Sequence, residues 1–542
     1  MWILLASGSV ICYPVLYNFV IGCNYYKAGF GMNLKELLVP LIVAFIGTWA
    51  IQYFFFNRNV SHEGVRTVQP FVAPTGMQEA RPLNTEIAFV DTKRSKAAEI
   101  TEVQTDGATL LFTTDGASLD RLEFKRKTDG RSYAIDTIFP VNEVERENRC
   151  FLVAFDAKSP YYFALVNHKD TADTALLTYQ AETDDAILIK NFAVHKHLYQ
   201  IDLELTVSPK KDDTAIGRLR LFFPSPLMPE LENNDQISSI VGDDQSSIKK
   251  TALSRVNVHQ GWLMPTLFGT ESRYFAHAMV KDPQAFCQRA YYKIYEKNRM
   301  ISILEGPAVG KTTSWRTSFY FGPKELPALI AVDKRLKMLD YSGLLGPMAE
   351  WFLSLLQWLF KFCHNYGLAI IILAILVRLL LLPLTLKAEA GNKQRVEMQK
   401  KMDYIKHRYK DDPERCKQEQ TELIAKHGIP GLSGCLPLLL QIPIFFALSR
   451  VLSSSIYLYH ASFLWIPDLA AKDPWYILPL LTTLSMIAMM RSTGDSKQQL
   501  SSIAMAMIVG AVSTSLSSGL ALYIFVGTFL GVVQSFIQKR FA

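Results

Sequence analysis

The chain has 542 residues, 49% of them apolar and 20% charged, with a net charge of +7 and seven cysteines. That length allows two or three domains, and a modest charge without a long basic run excludes a reader of specific nucleic-acid sequence. The cysteines (Cys12, Cys23, Cys150, Cys287, Cys363, Cys416, Cys435) form no C-x-x-C pair, so metal spacing is absent and a disulfide framework is disfavoured; Cys150 and Cys287 are expected as buried thiols, a bond between them being the alternative.

The average conceals a division. Apolar residues mass near the N-terminus and after about residue 344, and the stretch between reads as a soluble domain. The expected fold class is therefore a polytopic α-helical membrane protein with a large extracytoplasmic β-sandwich domain. Residues 1–31 are apolar, but no Lys or Arg precedes their core as a secretory signal requires. "VIGC" at 20–23 loosely resembles a lipoprotein cleavage site. The preferred reading makes 1–31 an extension with translation starting at Met32; an extra span or a signal segment is the alternative. Leu34–Phe56 is the first transmembrane candidate, within a 32–56 segment, since a span needs about 20 mostly apolar residues.

Residues 57–343 alternate polar and apolar over short runs, "ATLLFTT", "AILIKNFAV", "LYQIDLELTV", "GRLRLFF" and "TSWRTSFYFG", separated by turns such as "TTDG" and "KTDG". This pattern predicts one large β-sandwich. "EGPAVGKTT" at 305–313 imitates a phosphate-binding loop, but Glu305 stands where the first glycine is needed, and it reads as a turn between strands. The histidines of the insert, His195 and His197 included, read as surface residues. No carboxylate pair or Ser/His/Asp order supports hydrolysis, and no cofactor or metal is expected.

Residues 344–364 place Trp351, Leu355, Trp358, Leu359 and Phe362 at helical spacing, with Glu350, Ser354, Gln357, Lys361 and His364 on a separate polar face. That is the pattern of an amphipathic helix in the membrane interface, ended by Cys363-His364-Asn365-Tyr366-Gly367. The core, 365–542, then offers five spans: Tyr366–Leu386, Ile429–Leu452, Trp475–Met490, Leu500–Leu516 and Leu520–Ile537. The first contains "IIILAILVRLLLLPL" (370–384), fifteen residues of which thirteen are aliphatic and one is Arg378. Arginine cannot lose its charge, and at the centre of a membrane helix it costs about 2.5–3.5 kcal/mol on insertion scales.

Between the first two core spans, residues 387–427 carry eleven Lys and Arg. Met398, Met402, Ile405 and Tyr409 recur at helical spacing; Asp412 and Pro413 then start a second helix that ends at Gly428 and Pro430. A helical hairpin is expected, with Lys400, Lys401 and Arg408 on a docking surface for a ribosome or nascent chain. Two more basic residues lie in 491–497 and two at 539–540, whereas Ser453–Pro474 has only Lys472 and 517–519 none. The positive-inside rule puts the basic loops and C-terminus in the cytoplasm and the insert outside.

With "GLSGCLPLLLQIPIFFAL" (431–448) the chain resembles the YidC/Oxa family of membrane protein insertases, in the long form of Gram-negative bacteria. "YGLAIIILAILVRLLLLPLT", "FLWIPDLAAKDPWYILPLL" (463–481) and "SSGLALYIF" (517–525) follow in the family's order, and the resemblance covers about 344–540. It implies five C-terminal helices around a polar groove open to cytoplasm and lipid, with Arg378 as the groove arginine, Gln441 the glutamine of the next span and Tyr523 a last-span tyrosine. Two positions depart from the family pattern: Ala374 stands where a hydroxyl is common, and Ile524 where an aromatic is. Ser485, Ser513, Thr514 and Gln534 are further candidates to line the same cavity, although Ser and Thr also bond to their own helix carbonyls.

An arginine is tolerable in a membrane where it faces a water-filled cavity. The expected function is an insertase and chaperone for inner-membrane proteins, acting alone or with the Sec translocon. The expected partners are nascent membrane proteins, the ribosome, that translocon and lipids, and no bond is made or broken. An anion transporter or channel using Arg378 is the alternative, although matching halves with paired helix breaks are absent. A carbohydrate enzyme in the insert is a third reading, resting on fold alone.

Overall fold

The computed structural model describes residues 70–71, 87–90, 97–128, 131–140, 143–156, 158–210, 216–227, 237–242, 248–295, 299–340, 345–409, 412–427, 436–490 and 496–541. The expected extension 1–31, the span Leu34–Phe56 and the hairpin end at Gly428 and Pro430 lie outside them.

The alternating segments of the insert are strands. A nine-stranded sheet runs in the order Ile248–Ala252, Ser238–Gly242, Leu267–Glu271, Phe275–Lys281, Thr313–Pro323, Gln200–Pro209, Ala186–His195, Thr174–Glu182, Ala164–Asp170. An eight-stranded sheet runs Pro70–Phe71, Gly261–Leu263, Arg289–Tyr295, Arg299–Ala308, Arg218–Pro224, Leu152–Phe155, Lys158–Pro160, Ala88–Val90. Rings interdigitate between the two: Phe223 meets Phe319 at 5.5 Å, and Tyr292 stacks on Phe268 at 4.4 Å. Such pairs add about 0.5–1.5 kcal/mol each beyond the area they bury. A four-stranded sheet spanning Ile100–Ile138 packs on the same face of the nine-stranded sheet, through Phe112 on Phe192 and Phe124 on Phe275. The phosphate-loop imitation is the end of one strand, a turn, and the start of Thr313–Pro323.

In Ala186–His195 every second side chain is buried. One of these inward positions holds Lys190, fully buried. Its ammonium donates to the carbonyls of Gly116 at 2.6 Å, Phe151 at 2.7 Å and Ala117 at 3.3 Å, which replace water around the charge. Burial still pushes its pKa well below the usual lysine range. Cys150 and Cys287 are both buried free thiols.

After the last strand, α1 (Leu326–Val332), a 3-10 turn (Lys334–Leu336) and α2 (Lys337–Asp340) pack Leu329, Val332, Leu336 and Leu339 against the insert. The helical region follows as α3 (Gly346–Cys363), α4 (Tyr366–Arg408), α5 (Pro413–His427), α6 (Leu436–Ser454), α7 (Ile477–Met490), α8 (Ser496–Ser513) and α9 (Ser518–Phe541). Each hydropathic segment after residue 344 thus carries a helix. The Tyr366–Pro383 part of α4 and the Ser518–Ile537 part of α9 are long and apolar enough to cross a membrane, whereas Ile477–Met489 and Ile503–Ser513 are shorter apolar stretches.

Helix α3 buries Ala349, Phe352, Leu353, Leu356 and Leu359 and leaves Trp351, Trp358 and Phe362 more than half exposed. It stops where His364 turns left-handed (φ 52°), and Asn365 caps α4 by accepting from the Leu368 amide at 3.1 Å. Helix α4 then runs unbroken through 387, so the arginine-bearing segment and the first arm of the basic hairpin are one helix of 43 residues. A change from apolar to charged side chains alters what a helix faces, not whether its backbone bonds form.

Candidate functional site

Along α4 the side chains of Ala374, Val377 and Leu381 are buried, while Leu376, Leu379 and Leu380 are exposed. Arg378 sits on the border and turns toward α9. Its Nη2 donates to Gln534 Oε1 at 3.2 Å, and the Gln534 amide nitrogen donates to Thr385 Oγ1 at 3.4 Å. A carboxamide on α9 thus bridges the guanidinium and a hydroxyl on α4. A Cβ at Gly531, one turn before Gln534, would lie 3.0 Å from Arg378 Nη2 and 3.4 Å from Met489 Sδ; glycine leaves the guanidinium its room.

A second polar pair joins α6 to α9. Gln441 Nε2 donates to the hydroxyl of the buried Tyr523 at 3.1 Å. Tyr523 lies within electrostatic reach of Arg378, so the two pairs belong to one polar neighbourhood in otherwise apolar helices. Ala374 is buried one turn before Arg378 and contributes no hydroxyl.

The remaining candidates are placed differently. Ser485 is buried on α7. Ser513 donates to Val509 O at 2.9 Å and Thr514 to Ala511 O at 2.7 Å, both within their own helix turn. Thr385 and Gly531 were not singled out from the sequence. Thr385 lies two turns beyond Arg378 on the same helix face and Gly531 one turn before Gln534, and those spacings were the available signal.

The hairpin is formed by the end of α4 and by α5, whose first residue is Pro413 and whose Arg415 amide donates to Asp412 Oδ1 at 3.1 Å. Tyr409 joins the arms through Glu419 Oε1 at 3.4 Å, and Met398 and Ile405 are buried. Lys401 and Arg408 are exposed, Tyr404 is 62% exposed, and Arg408 Nη1 lies 3.5 Å from the Tyr404 hydroxyl. Lys400 lies on α4, its side chain outside the described set.

In the insert, His195 faces Asp202 at 3.2 Å, and His197 faces Asp106 at 2.8 Å and Asp173 at 3.5 Å. Among the described residues no group of three or more His, Cys, Asp or Glu is placed to hold a metal ion.

Residues 358–542 match the family model described as 60Kd inner membrane protein. The chain is 30% identical to the membrane protein insertase YidC of Geobacter metallireducens over 60% of each chain, so that match spans about three fifths of the relative's length. It is 24% identical to the YidC of Geotalea daltonii over 93% of this chain and 99% of that one. An active YidC insertase crystal structure with its first transmembrane domain resolved is similar at 17% identity and a TM-score of 0.36, covering 81% of this chain and 93% of that one.

Proposed function

This chain belongs to the YidC/Oxa family of inner-membrane protein insertases, and from that premise we propose that it inserts and folds membrane proteins along the polar neighbourhood of Arg378, Gln441, Tyr523 and Gln534. The observation that carries the reading is Arg378 itself: a permanent charge inside the apolar Tyr366–Pro383 stretch, whose Nη2 donates to the Gln534 carboxamide of another helix. The carboxamide orients the guanidinium, and the positive field attracts a passing acidic group.

The mechanism follows from that field. Five helices, α4, α6, α7, α8 and α9, form the membrane core, with the basic hairpin and C-terminus cytoplasmic and the insert periplasmic, as the loop charges require. Helix α3 lies in the outer interface with Trp351 and Trp358 at headgroup depth. A substrate's polar tail enters from the cytoplasm; an acidic residue about 4 Å from the guanidinium gains at most about 4 kcal/mol at an effective dielectric of 20. The apolar part leaves sideways past Leu- and Ile-rich helices into lipid. Lys400, Lys401 and Arg408 meet the ribosome or the emerging chain, and the Sec translocon is a co-worker for larger substrates. Nothing in these steps breaks a bond, so no nucleophile or cofactor is asked of the site.

The test is reconstitution of the full chain in proteoliposomes with a short-tailed membrane protein. Arg378-dependent protection of the inserted span supports the proposal. Saturable, Arg378-dependent uptake of a small anion without insertion would replace it with the transporter reading.

A further inference from the structure

The insert meets the helical region at the loop Ser455–Tyr476, and the contact is built around Arg273. This residue sits in the tight connection between strands Leu267–Glu271 and Phe275–Lys281, where a hairpin has no need of a cation. Its Nε donates to Ser453 O at 2.5 Å, its Nη2 donates to the same oxygen, and Nη2 also donates to Ala470 O at 3.2 Å. Ser453 lies in the last turn of α6, where the unpaired carbonyls of a helix end favour positive charge. Ala470 lies on the far limb of the loop. One guanidinium therefore ties the end of α6 to the later limb of the loop. Aromatic contacts flank the grip: Tyr274 meets Tyr459 at 5.3 Å, and Tyr133 stacks on His460 at 4.6 Å.

The loop in turn covers the insert-facing ends of the helices that carry the polar neighbourhood. The ring of Phe463 fills the space above Gly367, where a Cβ would overlap it, and Asn365 Nδ2 donates to Ser462 O at 3.3 Å. At the start of α9, Gly519 N donates to Leu469 O at 2.8 Å and Ser518 N to Ala471 O at 2.7 Å. A Cβ at Gly519 would lie 3.2 Å from Leu469 O and 3.4 Å from Ile370 Cδ1, so the loop and α4 meet above Ile370. Ile456, Leu458, Ala461, Ile466 and Leu469 are all buried on its underside.

We propose that Arg273 is a positioning residue through which the insert clamps the loop Ser455–Tyr476 over the ends of α4 and α9, keeping the polar path closed on the insert's side. The use of that path rests on the insertase reading; the closure does not. The clamp gives the insert a task in the membrane core without any ligand of its own.

The experiment uses the full chain in proteoliposomes, with Ile370→Cys as reporter, Cys150 and Cys287 kept, and the other cysteines replaced by serine. A membrane-impermeant maleimide is applied from the insert's side, and labelling is read peptide by peptide. Arg273→Ala is expected to raise the rate at position 370 by about 10- to 100-fold, the factor corresponding to loss of a hydrogen-bonded charge. Arg273→Lys, which meets one carbonyl at a time, should fall between. Cys150 and Cys287, buried in the insert, must stay unlabelled; if they react in the alanine variant, the lysine variant decides. An unchanged rate at 370 with both thiols protected overturns the clamp. A raised rate in a chain that shows no Arg378-dependent insertion keeps the clamp and rejects the insertase reading.

Discussion

Lowering the pH from 7 to 5 is expected to cost the insert about 2 kcal/mol of stability through one residue, His277. Its ring is fully buried, stacks on Phe321 at 4.4 Å and donates from Nδ1 to the Pro224 carbonyl at 3.0 Å, which fixes the neutral tautomer. Burial lowers its pKa from 6.5 to about 3, against a smaller opposing effect of the Pro224 bond. Because the folded value is depressed, the unfolded chain takes up a proton below pH 6.5 that the folded chain refuses, and stability falls as pH falls until about 3. At pH 5 the cost is about 1.5 pH units at 1.36 kcal/mol each, whatever the folded value, provided it lies below 5. Asp202 does not interfere. Its burial is outweighed by hydrogen bonds from Gln200, Arg316, Ser318 and His195 that bring it down to about 2, so its contribution is lost only below about pH 4. The assay is urea unfolding of the full chain in detergent, followed by Trp262 and Trp315 with the other tryptophans replaced by phenylalanine. His277→Gln, which keeps a donor and does not titrate, should flatten the slope between pH 7 and 5. An equal slope in both proteins would refute the reasoning.

Two further outcomes follow from packing in the helical region. Gly531→Val should crowd the Arg378 guanidinium off Gln534 and reduce insertion about tenfold or more while leaving the unfolding midpoint nearly unchanged; full activity would show that the guanidinium's position is immaterial. Asp473 is buried and accepts from Trp465 Nε1 at 3.2 Å, Trp475 N at 3.2 Å and Leu478 N at 2.7 Å. Asp473→Ala leaves those donors unpaired and should destabilise the helical region by about 2–4 kcal/mol in thermal unfolding, a loss under about 1 kcal/mol counting against the cap.

Local patterns were legible, and partners distant in the chain were not. The alternation in Ala186–His195 reads directly as a half-buried strand, and Arg378 stands out because fourteen uncharged neighbours surround it in its fifteen-residue run. Lys190 falls on the inward face of the same strand, but its acceptors come from turns 74 and 39 residues away, and no local spacing announces them. Arg378 and Gln534 are 156 residues apart, so their bond depends on how α4 packs on α9. Arg273 was invisible for the same reason: backbone carbonyls 180 and 197 residues away carry no side-chain signature. The hairpin was read from residue 387 because composition changes there, whereas the helix itself continues from Tyr366 to Arg408.

The central claim is that substrates pass along the Arg378 and Gln441 neighbourhood. Its most direct measurement is photocrosslinking from positions 378 and 441 to a stalled, radiolabelled nascent membrane protein, with the exposed position 197 of the insert as control. Crosslinks from 378 and 441 to the nascent span, absent from 197, are the predicted result. Crosslinks from 197 alone would contradict the account and move the search for function to the β insert.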